Sequence, residues 1–300
     1  MSRRFAIYDV FAEAPLAGNQ LGVVFDCEGL DTARMQAIAA ELGFSETVFL
    51  APAASEQHTA AVRIFTPKSE LPFAGHPTVG AAVAVARERG MDELGQGIVV
   101  LEEGVGPVRC GVTFADGTAS AQFDLPVVAR PLARIAPAEV VAVALNLTPD
   151  RIGFENHEIT RFDAGLPYTL VPVRDLAAAA AARPNMTAWR DAFGDGPHAC
   201  AYVYCRETVA HDAQFHARMF APADGIPEDP ATGSAAACFA GAVARFDTPV
   251  DGVHEIVIEQ GVEMGRPSRI VLEIDVKEGI FQGGRIGGGA VLVAEGTLHA

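Results

Sequence analysis

The sequence predicts a mixed α/β (α+β) protein made of two similar halves. Three observations carry that reading. Strand-like and helix-like stretches alternate along the whole chain. Landmarks of the first half recur, in order, in the second at a nearly constant offset. Phe65-Thr66-Pro67 answers Phe220-Ala221-Pro222, and the run from Glu46 answers that from Ala201, both at 155 residues; Glu102 answers Glu259 at 157, and Gly75 answers Gly233 at 158. Each half also holds one alanine- and valine-rich helix opened by a glycine. Ordered matches at one spacing argue for a duplicated unit. The expected domains are 1–125, completed by the C-terminal segment 286–300, and 126–285, with the active site in the cleft where the two halves meet.

The elements follow from local pattern. "FAIYDVF" and "LGVVFD" read as strands. "DTARMQAIAAELG" reads as an amphipathic helix that starts near Asp31 and stops at Gly43. "ETVFLA" and "AAVRIFTP" are strands, and "PTVGAAVAVARERG" is a helix with Pro77 in its first turn and Gly90 beyond its end. "GIVVLEEGVGPVRCGVTF" and "TASAQFDL" complete the first half as strands. The second half repeats the plan with "ITRFDAGLPYTLVPV", "ACAYVYC" and "HARMFAP" as strands, "TGSAAACFAGAVARF" as a helix, and "HEIVIEQGVEMGRPSRIVLEI" as a strand pair. "GGAVLVAEG" has no counterpart in order and is expected to cross back to the first sheet. "GGRIGGGA", Gly283–Ala290, reads as a glycine-rich turn.

Composition narrows the function. The 300 residues are 50% hydrophobic and 20% charged, which suits a folded core. A formal net charge of -16 argues against nucleic acid or an anionic membrane as partner, because both require clustered Lys and Arg. A small anionic substrate remains compatible, since helix N-termini hold anions whatever the global charge. Cys27, Cys110, Cys200, Cys205 and Cys238 are scattered, with neither CxxC nor metal-type spacing, and read as free thiols of a cytoplasmic protein. No metal site is expected. A nicotinamide- or flavin-type oxidoreductase finds no GxGxxG after a first strand.

The two helix openings carry the chemistry. One reads Ala74-Gly75-His76-Pro77-Thr78, the other Asp229-Pro230-Ala231-Thr232-Gly233-Ser234. A helix N-terminus has unpaired N–H groups and partial positive charge, and glycine permits close backbone approach. Two such termini facing each other would clamp a carboxylate through Gly75, Thr232, Gly233 and Ser234. Taken singly, each residue has an ordinary structural explanation: an N-cap for Thr232 or Ser234, a loop histidine for His76, a pre-proline turn for Asp229. Glu46, after the glycine that ends a helix, is the further candidate. Its counterpart is Ala201, so an acid stands in one half only, which suits one-sided proton transfer. Asn19 in "AGNQLG" and Arg63 are additional candidates to line the site.

"YDVFAEAPLAGNQLGVV", "ELGFSETVFL", "RIFTPKSELPFAGHPTVGAA", "EDPATGSAAACFAG" and "GVEMGRPSRI" together resemble the phenazine-biosynthesis PhzF-like isomerases over nearly the whole chain. The resemblance implies the diaminopimelate-epimerase-like fold, two pseudo-symmetric halves that each curl a mostly antiparallel sheet around a central helix. It places the family's proton-transferring glutamate on Glu46 and its active-site histidine, aspartate and serine on His76, Asp229 and Ser234. It implies isomerisation of a small cyclic or unsaturated carboxylic acid without metal or organic cofactor, in a homodimer. The named example is trans-2,3-dihydro-3-hydroxyanthranilate, from which a proton leaves C3 and returns at C1 before tautomerisation to a ketone. Related racemases of this fold use two cysteines at places that correspond to Ala74 and Thr232; no cysteine stands there, so two-thiol chemistry is excluded. The alternatives are a family member acting on a different small acid, or a non-catalytic binding protein that keeps the fold.

Overall fold

The alternating segment Ser2–Val10 forms β1, which pairs antiparallel with β2 (Asn19–Val24). The chain then crosses through α1 (Thr32–Leu42) to β3 (Glu46–Ala51), parallel to β2. A parallel pair needs such a crossover. Asp31 starts α1 by accepting the Arg34 N–H at 2.8 Å, and Gly43 ends it in the left-handed conformation. β3 pairs antiparallel with β4 (Ala60–Phe65), and the short β5 (Glu70–Leu71) follows. The helix α2 (Gly75–Glu88) is a second crossover, leading to β6 (Gln96–Glu103) parallel to β4. β7 (Gly106–Ala115) and β8 (Thr118–Asp124) then form an antiparallel meander.

The second half has β9 (Arg130–Pro131), α3 (Ala138–Ala144), β10 (Thr160–Asp163), β11 (Pro167–Pro172), α4 (Leu176–Ala181), α5 (Met186–Phe193), β12 (Ala201–Cys205), β13 (Phe215–Ala221), β14 (Ile226–Asp229), α6 (Gly233–Phe246), β15 (Gly252–Gln260) and β16 (Ser268–Lys277). Its two parallel pairs, β11 with β12 and β13 with β15, stand where β2–β3 and β4–β6 stand in the first half. The α6 crossover corresponds to α2. The remaining registered pairs are antiparallel. A separate core of Val141, Leu145, Trp189 and Phe193 seats α3 and α5 on Val171 and Val203 of the sheet.

The last strand, β17 (Ile280–His299), pairs with β1 from Ser2–His299 to Val10–Ala290, and also with β8. This computed structural model describes residues 2–115, 117–133, 135–196 and 198–300. The chain divides into two units, residues 1–124 with 287–300, and residues 125–286. In the first unit the pairings β17–β1–β2–β3–β4–β6–β7–β8–β17 close a ring of eight strands. α2 lies against seven of them, and its residues Gly75 to Ala86 are all buried. A helix that is apolar all round is one that is buried all round.

"GGRIGGGA" is not a turn: it lies inside β17. Glycine is required there by crowding. A Cβ on Gly289 would fall 2.2 Å from the Ala12 carbonyl oxygen, and one on Gly284 would overlap the Glu273 carbonyl. A glycine-rich run in a strand therefore marks close approach of backbones, which the sequence pattern alone does not separate from a turn.

The repeat extends to a polar device, half-buried in the first unit and buried in the second. The Glu102 carboxylate accepts the N–H groups of Ala54 and Ser55, both at 2.9 Å, and meets His58 Nδ1 at 2.7 Å. Those amides and His58 pull the Glu102 carboxyl down to about 2. Glu259 accepts the N–H groups of Val209 and Ala210 at 2.7 and 2.8 Å and meets His216 Nδ1 at 2.7 Å. Both pairs of amides stand 155 residues apart. The histidines differ: His58 comes from the loop, His216 from strand β13. In the second unit the device extends to Glu263, 3.0 Å from His216 Nε2, and to Arg218, which grips Glu228 with two 2.8 Å bonds. Burial alone would lower the His216 pKa, but Glu259 and Glu263 outweigh it and raise it to about 9.

His216 is therefore an imidazolium at neutral pH. Its pairing stabilises the fold fully below the unfolded value of about 6.5 and is lost as pH rises through about 9. Urea titrations from pH 6 to 10 should show an alkaline loss on the order of 2 kcal/mol that His216→Gln lacks. An equal loss in the variant would remove His216 as its source.

Candidate active site

In the first unit, the predicted site residues converge on the ends of three elements. The turn before β2 is tight: a Cβ on Gly18, at φ 63°, would lie 2.3 Å from the Val10 carbonyl oxygen. Buried Asp9 accepts the Leu16 N–H at 2.6 Å and fixes the same turn. Asn19 opens β2 and its Oδ1 accepts the Ser45 hydroxyl at 3.1 Å. Ser45 precedes Glu46, the first residue of β3. The parallel register sets Glu46 opposite Leu21. Glu46 Oε2 lies 3.5 Å from His76 Nε2, with side-chain exposures of 15% and 7%.

Burial holds His76 neutral, with its pKa lowered to about 3 despite a hydrogen bond with the Gln20 backbone. A neutral imidazole has one N–H. With that N–H donated to the Gln20 carbonyl, Nε2 carries a lone pair, and it has no hydrogen-bond partner among the described residues. The separation of 3.5 Å is too long for a made hydrogen bond. The pair is a carboxyl group beside an imidazole lone pair, able to share a proton once one is delivered. The N-cap of α2 is Ala74, and no side chain caps the helix, so its first N–H groups open beside Gly75 and His76.

In the second unit β14 ends at Asp229 and α6 begins at Gly233, with Thr232 as N-cap. Thr232 does not cap the helix with its side chain. It donates its hydroxyl to Asp229 Oδ2 at 2.5 Å. Gln260, fully buried at the end of β15, donates Nε2–H to the Asp229 carbonyl at 2.8 Å and to Thr232 Oγ1 at 3.0 Å, and accepts the Thr232 N–H at 3.2 Å. Ser234 is one residue inside the helix, and its Oγ lies 2.7 Å from the Tyr168 hydroxyl. Burial keeps Tyr168 protonated by raising its pKa far above the usual phenol value.

Several contributors escaped the sequence reading: Gln20, Ser45, Tyr168 and Gln260. Gln260 follows Glu259 directly, at the end of an apolar strand, and that buried polar position was its available signal. Arg63 does not join the site. It forms a two-pronged pair with Glu70 at 2.7 and 2.6 Å and reaches Thr32 at 2.9 Å. A cavity of about 640 Å³ in the second unit, lined by Pro137, Arg161, Thr169 and Phe193 among others, contains none of the predicted site residues. Among the described residues, no His, Cys, Asp and Glu side chains gather as metal ligands would, and no helix is long and apolar enough to cross a membrane.

The family model of phenazine biosynthesis-like proteins (PhzC-PhzF) matches residues 8–296. The chain belongs to this family. An uncharacterized isomerase of Mesorhizobium japonicum is 52% identical, with 99% of each chain covered. The trans-2,3-dihydro-3-hydroxyanthranilate isomerase of Pseudomonas aeruginosa is 35% identical, again over 99% of each chain. The crystal structure of a PhzF-family phenazine biosynthesis protein from Bacillus anthracis superposes with a TM-score of 0.89 at 27% identity, covering 100% of both chains. The PhzF-family protein described here is an isomerase.

The neutral His76 gives a direct check. Its ring resonances in NMR should stay those of a neutral imidazole from pH 8 down to about pH 4. A midpoint near the ordinary value of about 6.5 would show that burial does not control it.

Proposed function

We propose that this isomerase moves a proton on a small cyclic or unsaturated carboxylic acid, with Glu46 as general base and then general acid. The observation that carries the reading is the Glu46 carboxyl 3.5 Å from a buried, neutral His76 at the uncapped start of α2. Glu46 takes a proton from the substrate carbon. The protonated carboxyl then faces the Nε2 lone pair, which steadies the acid form without removing the proton. The same carboxyl returns the proton at another carbon on the same face. The electrons move through the intervening unsaturation, so no redox partner enters the balance, and the reading includes no metal or organic cofactor.

The substrate carboxylate is assigned to the backbone at Gly75 and Gly233, with Asn19 and Thr232 holding the loops in place. Asp229 and Ser234 are assigned to the substrate's other polar groups. These assignments are supported by the family resemblance of "GHP" and "DPATGS" and by the fixed geometry of each loop. The name of the Pseudomonas aeruginosa relative makes trans-2,3-dihydro-3-hydroxyanthranilate the first substrate to test, and a different small acid is the alternative. Five free, buried cysteines support a reducing, cytoplasmic setting, and the family resemblance supports a homodimer.

Turnover of trans-2,3-dihydro-3-hydroxyanthranilate in deuterated water should place deuterium at the carbon that Glu46 reprotonates, to the extent that the Glu46 acid exchanges with solvent before return. Glu46→Gln should lower kcat by roughly 10²–10⁴-fold. Near-normal turnover by Glu46→Gln would remove the glutamate from the mechanism.

A further inference from the structure

Behind the mouth of α2 lies a carboxyl group that the mechanism does not use. Glu103 ends β6 and is 8% exposed. Its Oε1 lies 2.8 Å from Thr78 Oγ1, and that hydroxyl also lies 2.7 Å from the carbonyl oxygen of Ala74, the N-cap of α2. Thr78 has one hydroxyl hydrogen. A carbonyl oxygen can only accept, so that hydrogen goes to Ala74. The contact between Thr78 and Glu103 then needs a second hydrogen, and only Glu103 can supply it.

The surroundings agree. Among the described residues no cation is paired with Glu103, and its Oε2 is buried without a hydrogen-bond partner. A carboxylate in that setting would carry a large desolvation cost. Burial raises the Glu103 pKa to about 8. From α2 it is faced by Thr78 and from β7 by the Cys110 thiol, which burial keeps protonated. The residues after Glu103 pack on the Pro72 backbone, with Gly104 against it and Val105 N–H bonding the Pro72 carbonyl at 3.1 Å.

The second unit supplies an internal control. Its counterpart of Glu103, 157 residues on, is Gln260, a neutral amide. Gln260 Nε2 donates to the hydroxyl of Thr232 at the mouth of α6, at 3.0 Å. In each half, then, a side chain at the end of the corresponding strand meets a threonine hydroxyl beside the buried helix start. One half achieves it with an amide, the other with an acid.

We infer that Glu103 is a protonated carboxylic acid that positions the mouth of α2, donating to Thr78 so that Thr78 can hold the Ala74 carbonyl beside Gly75 and His76. It acts through other residues and does not touch substrate. On ionisation it becomes an acceptor only and takes the Thr78 hydrogen. Ala74 then keeps only the Thr78 backbone N–H, at 3.1 Å, and the loop that carries His76 loosens. The link to catalysis rests on the isomerase reading above; the protonation state does not.

Two measurements separate these. Infrared difference spectra of the intact protein against Glu103→Gln need no substrate. They should show the carbonyl band of one protonated carboxylic acid at pH 6, lost on titration through about pH 8. Absence of that band at pH 6 overturns the inference. The kinetic arm uses trans-2,3-dihydro-3-hydroxyanthranilate as probe. The parent kcat should fall between pH 7 and 8.5. Glu103→Gln, whose amide can donate as Gln260 does, should keep turnover within about twofold at pH 7 and lose that fall. Glu103→Leu should lower kcat on the order of tenfold at every pH with KM little changed. A Glu103→Gln variant that keeps the alkaline fall overturns the positioning role. Lack of turnover by the parent protein counts against the substrate reading, while the infrared result still decides the protonation state.

Discussion

A helix threaded through a closed ring of strands must be apolar on every side yet cannot be apolar at its start. The side of α2 is Ala, Val and Gly packed close: a Cβ on Gly80 would fall 2.4 Å from Leu21 Cδ2. Its first turn still presents backbone N–H groups and a buried N-cap carbonyl, and these need partners. Polar residues of the first unit's interior therefore gather at the helix start, with Glu46 meeting His76 and Glu103 meeting Thr78. The Glu46–His76 pair sits where the fold already has to tolerate buried polarity.

The duplication reproduces the frame and varies the chemistry. Strand order, parallel pairs, the two crossover helices and the glutamate that gathers two amides and a histidine appear in both halves. The positions around the helix starts diverge: Glu46 against Ala201, Ala74 against Thr232, Glu103 against Gln260. Backbone pairing tolerates any of these residues, because a side chain at a strand end or a cap takes no part in the main-chain bonds of the ladder. Asymmetric proton chemistry can thus be placed on a symmetric scaffold without disturbing it.

Buried polar groups here fall into two kinds. Arg218, His216, Glu228, Glu259 and Glu263 form a charged network in which each group faces an opposite charge, with Glu263 Oε2 held only by a 3.7 Å ion pair to Arg218. That network adjoins Asp229 and Gln260 along the chain and holds β13, β14 and β15 in register. His76 and Glu103 are instead uncharged and only partly satisfied, each leaving one buried atom without a hydrogen-bond partner. Charged networks paired in this way rigidify the core around them.

The sequence by itself determined the α/β class, the duplication, the helix at each site, the caps Asp31 and Gly43, and the identity of Glu46, His76, Asp229 and Ser234 as candidates. Hydrophobic period, capping residues and constant offset are local signals, and each survives folding unchanged. Only the tertiary structure decided that Gly283–Ala290 is strand, because the crowding that demands glycine comes from other backbone packed against it, at Ala12 and Glu273. It also decided that Arg63 turns to Glu70, that Thr232 bonds Asp229 instead of capping its helix, and that Tyr168, Gln260 and Glu103 support the helix starts. Those facts depend on which distant backbone comes within about 3 Å of a side chain. The spacing of residues along one strand or helix carries no record of that.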